Sequence, residues 1–336
     1  MNIPADDPRP ILFLDSGAGG LPYWEHFHRR NPQEWLIYTA DRARFPYGKR
    51  ERDELSAALC SLMETLIRRF NPKLAALVCN TAAVSALDSL RLRFPGIPWV
   101  GTVPAVKPAA LESRARHIGV LGTGRTIEDP YIRELAARYG PDCRISGIAA
   151  PDLVDFVEYR FLRAGPEERR RAVEHSVEAL RQKGADALVL GCTHFLYLIE
   201  EFRAAAGEGV KVYDSVEGVS RRIESFLYEG GPSPLRPHTV AGYPRSGGST
   251  PATPPPGKRA RRALTQNMRH GVALVNAPTS QKCGAALAAP AGGGGRGPPI
   301  KKNLLVLTGQ GAPDQNWIER AASLGMELCL LDEETR

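Results

Sequence analysis

Two short apolar segments of the chain each lead into a cysteine, and the two cysteines stand 113 residues apart in similar surroundings. Residues 74–78 precede Cys79 and residues 187–191 precede Cys192, and a small hydroxyl or amide side chain follows each. Short continuous apolar runs are typical of strands buried in a parallel sheet. We therefore expect a fold built on parallel strands, with a thiol at the end of one strand in each half of the chain.

Strand-like and helix-like patterns alternate along the chain outside residues 231–302. Strands are predicted at residues 11–14, 35–39, 74–78, 99–100, 117–121, 144–148 and 187–190, and helices at 23–30, 51–69, 105–114, 129–139 and 167–183. Such alternation predicts an α/β fold, with parallel sheets that carry helices on both faces. Ligands in these sheets bind beyond the carboxyl ends of the strands, which is where both cysteines fall.

Residues 231–302 differ from the rest of the chain in composition. They contain eleven Lys or Arg, no Asp or Glu, twelve Pro and twelve Gly, and without them the net charge of +7 becomes −4. Few of these residues are large and apolar, so their burial cannot offset the entropy that the segment would lose on ordering. Disorder is therefore predicted for it. A passive linker or insertion is the favoured interpretation; a polyanion-binding patch at residues 258–262 and a misread segment are the alternatives. Nucleic acid is not expected to bind elsewhere on the chain.

The rest of the composition indicates a cytoplasmic protein. The first residues lack the basic and apolar regions of a signal peptide, and no apolar run reaches the ~18 residues of a membrane span. The six cysteines lack the pair spacing of a zinc site, and in a reducing cytosol they are expected to be thiols. We therefore predict no metal site and no membrane partner.

The first predicted strand ends at Asp15 and a glycine-rich turn. The turn does not have the Gly-x-Gly-x-x-Gly spacing of a dinucleotide site, because position 22 is proline. Asp15 is a carboxylate at a strand end, followed by small residues that let a ligand approach the backbone. A helix N-cap is the alternative role for this side chain.

The paired cysteines indicate a chemistry. The Cα proton of an amino acid is weakly acidic, so its removal needs a base that is close, desolvated and well directed. A thiolate is such a base and returns the proton readily. Two thiols on opposite sides of one small molecule remove a proton from one face and add one to the other, which predicts a racemase with no cofactor. A buried, inert cysteine is the alternative for either residue alone.

Five separate motifs point to one family. They are residues 15–21, 41–48, 79–82, 101–108 and 191–194. In their order and approximate spacing they resemble the glutamate racemases of the aspartate/glutamate racemase superfamily. The resemblance covers about residues 10–228, and it extends more weakly to the strand-like residues 303–310 and the helix-like residues 314–324.

The resemblance implies two pseudosymmetric α/β domains, with parallel-type sheets flanked by helices and the active site at the domain interface. The first domain would comprise residues 1–104, 214–230 and 303–336, and the second residues 105–213. The implied reaction is the cofactor-independent interconversion of L- and D-glutamate. It would supply D-glutamate for peptidoglycan, and hence for cell-wall biogenesis and cell shape. A homodimer is left open.

The resemblance also implies residue roles. Cys79 would act on the D-enantiomer and Cys192 on the L-enantiomer, with Asp15 beside the first thiol and His194 beside the second. Besides Asp15 and His194, the expected substrate-binding residues are Ser16, Pro46, Tyr47, Gly48, Asn80, Thr81, Thr123, Thr126, Glu158 and Thr193. Small hydroxyl and amide groups at strand ends can bind the carboxylates of glutamate, although some of them can instead be helix caps.

Some features depart from the family pattern. Phe195 and Leu196 follow the Cys-Thr-His motif where the family commonly has Tyr-Pro, and Ala150 and Asp155 are unusual near Glu158. An aspartate or hydantoin racemase is the nearest alternative, although aspartate-type members tend to have Glu in place of His194. A degenerate or moonlighting member that binds polyanions through residues 231–302 is a further alternative.

Overall fold

Eleven strands make up two sheets in the part of the chain that the computed structural model describes, which is residues 3–4, 6–229, 302–310 and 312–331 and the backbone of 281–282. The strands are β1 (Ile11–Asp15), β2 (Leu36–Ala40), β3 (Leu74–Leu77), β4 (Trp99–Gly101), β5 (His117–Gly122), β6 (Arg144–Ala149), β7 (Ala187–Leu190), β8 (Lys211–Tyr213), β9 (Gln281–Lys282), β10 (Leu304–Thr308) and β11 (Glu327–Leu331). The first sheet has the order β4-β3-β1-β2-β10-β11-β9 and the second the order β6-β5-β7-β8.

All neighbouring strands in both sheets run parallel. The strand order also repeats: β4-β3-β1-β2 in the first sheet corresponds to β8-β7-β5-β6 in the second, which is fourth, third, first and second strand of each half. Cys79 follows the third strand of one half and Cys192 the third strand of the other. The predicted α/β fold with two pseudosymmetric parallel sheets is confirmed.

Helices connect the strands, as the alternating pattern predicts. They are α1 (Leu21–Arg30), α2 (Arg52–Phe70), α3 (Asn80–Arg93), α4 (Val106–Glu112), α5 (Gly124–Glu128), α6 (Pro130–Tyr139), α7 (Pro151–Asp155), α8 (Pro166–Gln182), α9 (Ile199–Ala206), α10 (Val216–Tyr228) and α11 (Gln315–Ser323). Local chemistry fixes several starts. Thr123, Asp129 and Asp314 accept backbone N–H groups at the N-termini of α5, α6 and α11, which satisfies donors that have no partner within the helix.

Both cysteines occupy a junction between a strand and a helical turn. Cys79 has extended backbone dihedrals directly before α3, and Cys192 has extended dihedrals directly before a 3₁₀ turn at Thr193–Leu198. The chain therefore changes direction at each thiol, beyond the carboxyl end of its strand. This is the edge of a parallel sheet at which ligands bind.

The hydrophobic core continues from one sheet to the other. One cluster of buried side chains contains Phe13 and Trp24 from the first half and Phe195 and Phe202 from the second. Apolar burial contributes roughly 25 cal/mol per Å². The interface between the halves is thus held by the same hydrophobic effect that stabilises each half.

The C-terminal strands return to the first half of the chain. β10 pairs with β2, and β11 pairs with β10 and with β9 at the sheet edge. Apart from β9 and Lys302, the insert at 231–302 lies outside the described residues. The disorder predicted for it therefore concerns residues outside the described part of the chain. The domain boundaries at 104/105 and 213/214 stay a prediction, because sheet membership alone does not define a folding unit.

Four cysteines in the described part of the chain, Cys60, Cys79, Cys143 and Cys192, are free thiols. Cys329 is in a disulfide, so the expectation that all six cysteines are thiols is wrong there. That expectation rested on an inferred reducing compartment and not on geometry. Among the described residues no helix is both long and apolar enough to cross a membrane.

Candidate active site

One pocket receives residues from the carboxyl ends of both sheets. Its lining consists of Ser16, Pro46, Tyr47, Gly48, Cys79, Asn80, Thr81, Thr123, Val154, Gly191, Cys192, Thr193 and His194. Both cysteines are only 6% exposed, which is the desolvated setting that a carbon-acid base requires. The pocket therefore brings together two thiols that are distant in sequence and come from corresponding positions of the two halves.

Most of the sequence-predicted residues line this pocket, and three lie directly behind it. Asp15, Thr126 and Glu158 are buried and contact pocket residues, but they are not part of its lining. Thr126 is held by Thr123, whose hydroxyl also lies 3.2 Å from that of Thr81. Thr126 thus positions a pocket residue, and its predicted direct contact with a ligand stays a prediction.

The first thiol has an acidic neighbour. Burial raises the pKa of Cys79 well above its usual value, and the nearby Asp15 carboxylate raises it further. Burial also raises the pKa of Asp15, while the charge of His194 and hydrogen bonds from Thr193 and Cys79 act in the opposite direction. This arrangement favours the protonated thiol at Cys79, ready to donate a proton.

The second thiol has a basic neighbour. His194 Nδ1 lies 3.8 Å from Cys192 Sγ, and His194 Nε2 lies 2.7 Å from Glu158 Oε1. Burial by itself disfavours the charged imidazole, but these two hydrogen bonds outweigh it and raise the pKa of His194 well above its usual value. A protonated His194 can donate a charge-assisted hydrogen bond to the sulfur of Cys192.

Glu158 completes this side of the site. Burial opposes its ionisation, yet the hydrogen bond and charge of His194 outweigh burial and lower the pKa of Glu158. Its Oε1 also accepts the backbone N–H of Ala18 at 2.6 Å. Glu158 therefore links His194 in the second half to the turn that follows β1 in the first half.

Two glycines of that turn allow the halves to approach closely. A Cβ atom on Gly19 would lie 2.5 Å from both His194 Nδ1 and Thr193 Oγ1, and one on Gly17 would collide with Glu158. Distances this short are not tolerated between non-bonded heavy atoms. Gly17 and Gly19 therefore let Glu158 and His194 pack against the backbone of this turn, which does not form a dinucleotide motif.

Asn80 presents an unpaired amide to the pocket. Within the described part of the chain, neither its Nδ2 nor its Oδ1 has a hydrogen-bond partner, although both atoms are buried. An unsatisfied buried polar group costs about 1–3 kcal/mol. The amide can donate to a carboxylate and accept from an ammonium group, so a bound amino acid would satisfy both atoms.

Two residues that hold the loop at 46–48 were not among the predicted site residues. Asp41, directly after β2, accepts Tyr47 Oη at 2.7 Å and Thr308 Oγ1 at 2.5 Å. These bonds attach the pocket residue Tyr47 to the end of β10. Asp41 stands at the start of one of the five motifs, and Thr308 directly follows the apolar run at 304–307, so both were detectable as residues at strand ends.

A metal site is not apparent in the described ranges, which contain no group of three or more His, Cys, Asp or Glu arranged to hold an ion. The polar groups at the pocket are instead suited to an amino acid. Hydroxyl and amide donors face two thiols, and each thiol has its own proton-carrying partner. Such a set can bind carboxylates and move protons to and from a carbon between the sulfurs.

Proteins that are similar to this chain in sequence and in fold include racemases. The model of the Asp/Glu/Hydantoin racemase family matches residues 25–220. The glutamate racemase of Sphingopyxis alaskensis is 40% identical over 225 residues, which are 66% of this chain and 83% of that relative. The glutamate racemase of Escherichia coli, in complex with L-glutamate and the activator UDP-MurNAc-ala, has the same fold, with a TM-score of 0.68 at 23% identity over 96% of this chain and 98% of that one.

A second solved relative contains the other enantiomer of glutamate. The glutamate racemase of Francisella tularensis, in complex with D-glutamate, has a TM-score of 0.57 at 26% identity and covers 67% of this chain and 82% of its own. The family model covers more than half of the 336 residues. The chain therefore belongs to the Asp/Glu/Hydantoin racemase family and is an isomerase.

Proposed function

We propose that this protein interconverts L- and D-glutamate by proton transfer at Cα between Cys79 and Cys192, with no cofactor taking part. The observation that carries the proposal is the pair of thiols in one pocket, each from the same position of a pseudosymmetric half and each with a different acid–base partner. Relatives named glutamate racemase, and relatives solved with L- and with D-glutamate, support the choice of substrate.

The reaction begins with the enantiomer whose Cα proton faces the thiolate. For L-glutamate, the Cys192 thiolate takes the proton, the C–H bond breaks and an S–H bond forms, while the electron pair is delocalised into the α-carboxylate. The Cys79 thiol then gives its proton to the opposite face of Cα and becomes a thiolate. The groups beside the thiols support this starting state, because a protonated His194 can donate to Cys192 Sγ and the Asp15 carboxylate disfavours an anion at Cys79.

The reverse reaction starts from the opposite proton distribution. Cys79 must then be the thiolate and Cys192 the thiol, so a proton has to leave the Asp15 side and reach the His194 side. Thr193 lies between the two partners and donates to Asp15 Oδ2 at 2.9 Å. We infer that Asp15 and His194 tune the two thiols in this exchange and that the polar lining holds the carboxylates.

The substrate requires donors for two carboxylates and an acceptor for one ammonium group. Asn80 offers both functions through its unpaired amide, and Thr81, Thr123 and Thr193 offer hydroxyl groups. Replacing Asn80 by Ala should raise KM by about tenfold or more, because it removes charge-assisted bonds worth roughly 1.5–3 kcal/mol each.

The test is the loss of optical activity. Pure protein incubated with L-glutamate, and separately with D-glutamate, should bring the circular dichroism signal of either enantiomer to zero, while L-aspartate should stay unchanged. Loss of signal with L-aspartate alone would assign the aspartate alternative. An unchanged signal with both glutamate enantiomers would refute the proposal.

We further propose that the D-glutamate serves peptidoglycan synthesis in the cytoplasm. The family resemblance supports this role. A gene encoding this chain should restore growth to a bacterium that depends on added D-glutamate, and the same gene with Cys79→Ala should not. Growth with both genes would separate the role from the racemase chemistry.

A further inference from the structure

Arg320 is a buried arginine outside the pocket, in the segment that returns to the first half after the insert. It lies on α11 and is only 3% exposed. Its Nη2 donates to the carbonyl of Val157 at 2.8 Å and more distantly to that of Glu158 at 3.4 Å, and its Nη1 donates to Tyr197 Oη at 3.2 Å. Burial of a charge is costly unless it is matched by hydrogen bonds, so this placement requires an explanation.

The two carbonyls belong to an irregular turn. Residues Phe156–Arg160 form a single π-helical turn between α7 and α8, and π turns within helices are frequent at functional sites. This turn carries the Glu158 side chain. Arg320 thus holds the backbone from which Glu158 reaches Nε2 of His194.

Both arms of Arg320 lead to the same residue of the β1 turn. Nη2 of Arg320 bonds the backbone of Glu158, whose side chain accepts the N–H of Ala18 at 2.6 Å. Nη1 bonds Tyr197, whose Oη donates to the carbonyl of Ala18 at 3.0 Å. The guanidinium also lies over the Tyr197 ring, 5.3 Å from its centroid. The N–H and the C=O of Ala18 are therefore both fixed by groups that Arg320 organises.

The charge of Arg320 acts in the same direction as its hydrogen bonds. It is one of the charges that favour the ionised form of Glu158. An ionised Glu158 in turn favours a protonated His194, which is the partner of Cys192. Cys79 and Asp15 take no part in this chain of contacts.

We propose that Arg320 is a positioning residue for the Cys192 side of the racemase site, because it holds Glu158 and Tyr197 so that His194 faces Cys192. This inference rests on the proposed function. It assigns to α11 an effect on catalysis that is confined to the Cys192 side of the site. Arg320 belongs neither to the pocket lining nor to the five family motifs.

The test compares Arg320→Met, Arg320→Lys and a matched control, Arg170→Met. Arg170 is an exposed arginine on α8 whose ion pairs are with Glu167 and Glu174 of the same helix. Arg320→Met should lower kcat by about 10- to 100-fold, the scale expected when a reacting group is misplaced. Arg320→Lys should recover part of the loss, and Arg170→Met should match the unaltered protein.

The decisive readout is the primary deuterium isotope effect in each direction. If the Cys192 step slows, C–H cleavage limits the reaction of [2-²H]-L-glutamate and its isotope effect on kcat rises. With [2-²H]-D-glutamate, cleavage by Cys79 becomes less limiting and the isotope effect falls toward one. A purely structural role would lower activity without this opposite movement.

The outcomes separate this inference from the proposed function. An inactive unaltered protein would refute the function itself. Active protein with equal kinetics and isotope effects in Arg320→Met and Arg170→Met would overturn the role of Arg320 alone. Failure of both Arg320 variants to fold, judged by circular dichroism and thiol accessibility, would also overturn it, since Arg320 would then serve the fold and not the site.

Discussion

Thr193 Oγ1 donates a hydrogen bond of 2.9 Å to Asp15 Oδ2. The donor follows Cys192 in the second half of the chain, and the acceptor is the acidic neighbour of Cys79 in the first half. This buried bond therefore couples the environments of the two thiols. Bonds to charged groups contribute more than bonds between neutral ones.

Thr193→Val should lower kcat by about tenfold or more, because Asp15 loses a donor whose bond is worth roughly 1.5–3 kcal/mol. The loss also leaves the Asp15 carboxylate buried with less support, which raises its pKa further. Thr65→Val is the control, since Thr65 bonds only locally to Ser61 on α2. Equal kcat in the two variants would argue against coupling of the half-sites.

Cys79→Ala and Cys192→Ala should each abolish racemisation and leave the protein folded, because each face of Cα loses its only base. In D₂O, Cys79→Ala should still exchange the Cα proton of L-glutamate, and Cys192→Ala that of D-glutamate, as followed by NMR. Cys60→Ala is the matched control, a free thiol outside the pocket. Racemisation at near-normal rates by either variant would rule out the two-base mechanism.

Asp15→Asn and His194→Asn should lower kcat by ~10²–10⁴, the scale of lost acid–base assistance. The two enantiomers have equal free energy, so kcat/KM must fall equally in both directions. The kcat values need not, and each variant should slow one direction more than the other. Steady-state kinetics from both enantiomers measure this; small, equal effects would indicate structural roles.

The four residues that the sequence predicts to be catalytic share one property, which is a position next to a strand end. Asp15, Cys79, Cys192 and His194 each lie within a few residues of an apolar run, so a local pattern reveals them. Arg320 lies within a helix and reaches the site through tertiary contacts, so no such pattern reveals it. The strand β8 was also missed, because Lys211 interrupts its apolar residues and the strand is only partly buried. The strand β11 carries the apolar run 328–331 and was detectable by the same pattern.

The pair of Glu158 and His194 should make stability depend on pH. The pKa of His194 is raised above its ordinary 6.5, so its contribution is full below pH 6.5 and is lost as pH rises through the raised value. The pKa of Glu158 is lowered below its ordinary 4.5, so its contribution is present above pH 4.5 and is lost as pH falls through the lowered value.

Glu158→Gln should therefore reduce the free energy of unfolding most between pH 4.5 and 6.5, and progressively less outside that window. Urea unfolding at constant ionic strength across this range measures the difference from the unaltered protein. Glu168→Gln is the control, because Glu168 pairs with Arg160 at the surface. A difference that stays constant with pH would show that the pair is not charged.

The last prediction separates the insert from the chemistry. Replacing residues 235–300 by a short Gly/Ser linker removes nine Lys or Arg and no acidic residue, and so changes the formal net charge from +7 to −2. Every residue that lines the pocket lies before residue 195, and the removed segment includes β9, which pairs with the edge strand β11. The shortened protein should fold and racemise glutamate at a near-normal rate, with a pI below neutrality.

Any polyanion binding by the full chain should weaken steeply with salt and disappear on deletion. Loss of folding after the deletion would mean that the insert is needed by the first sheet, and the predicted disorder would then be wrong.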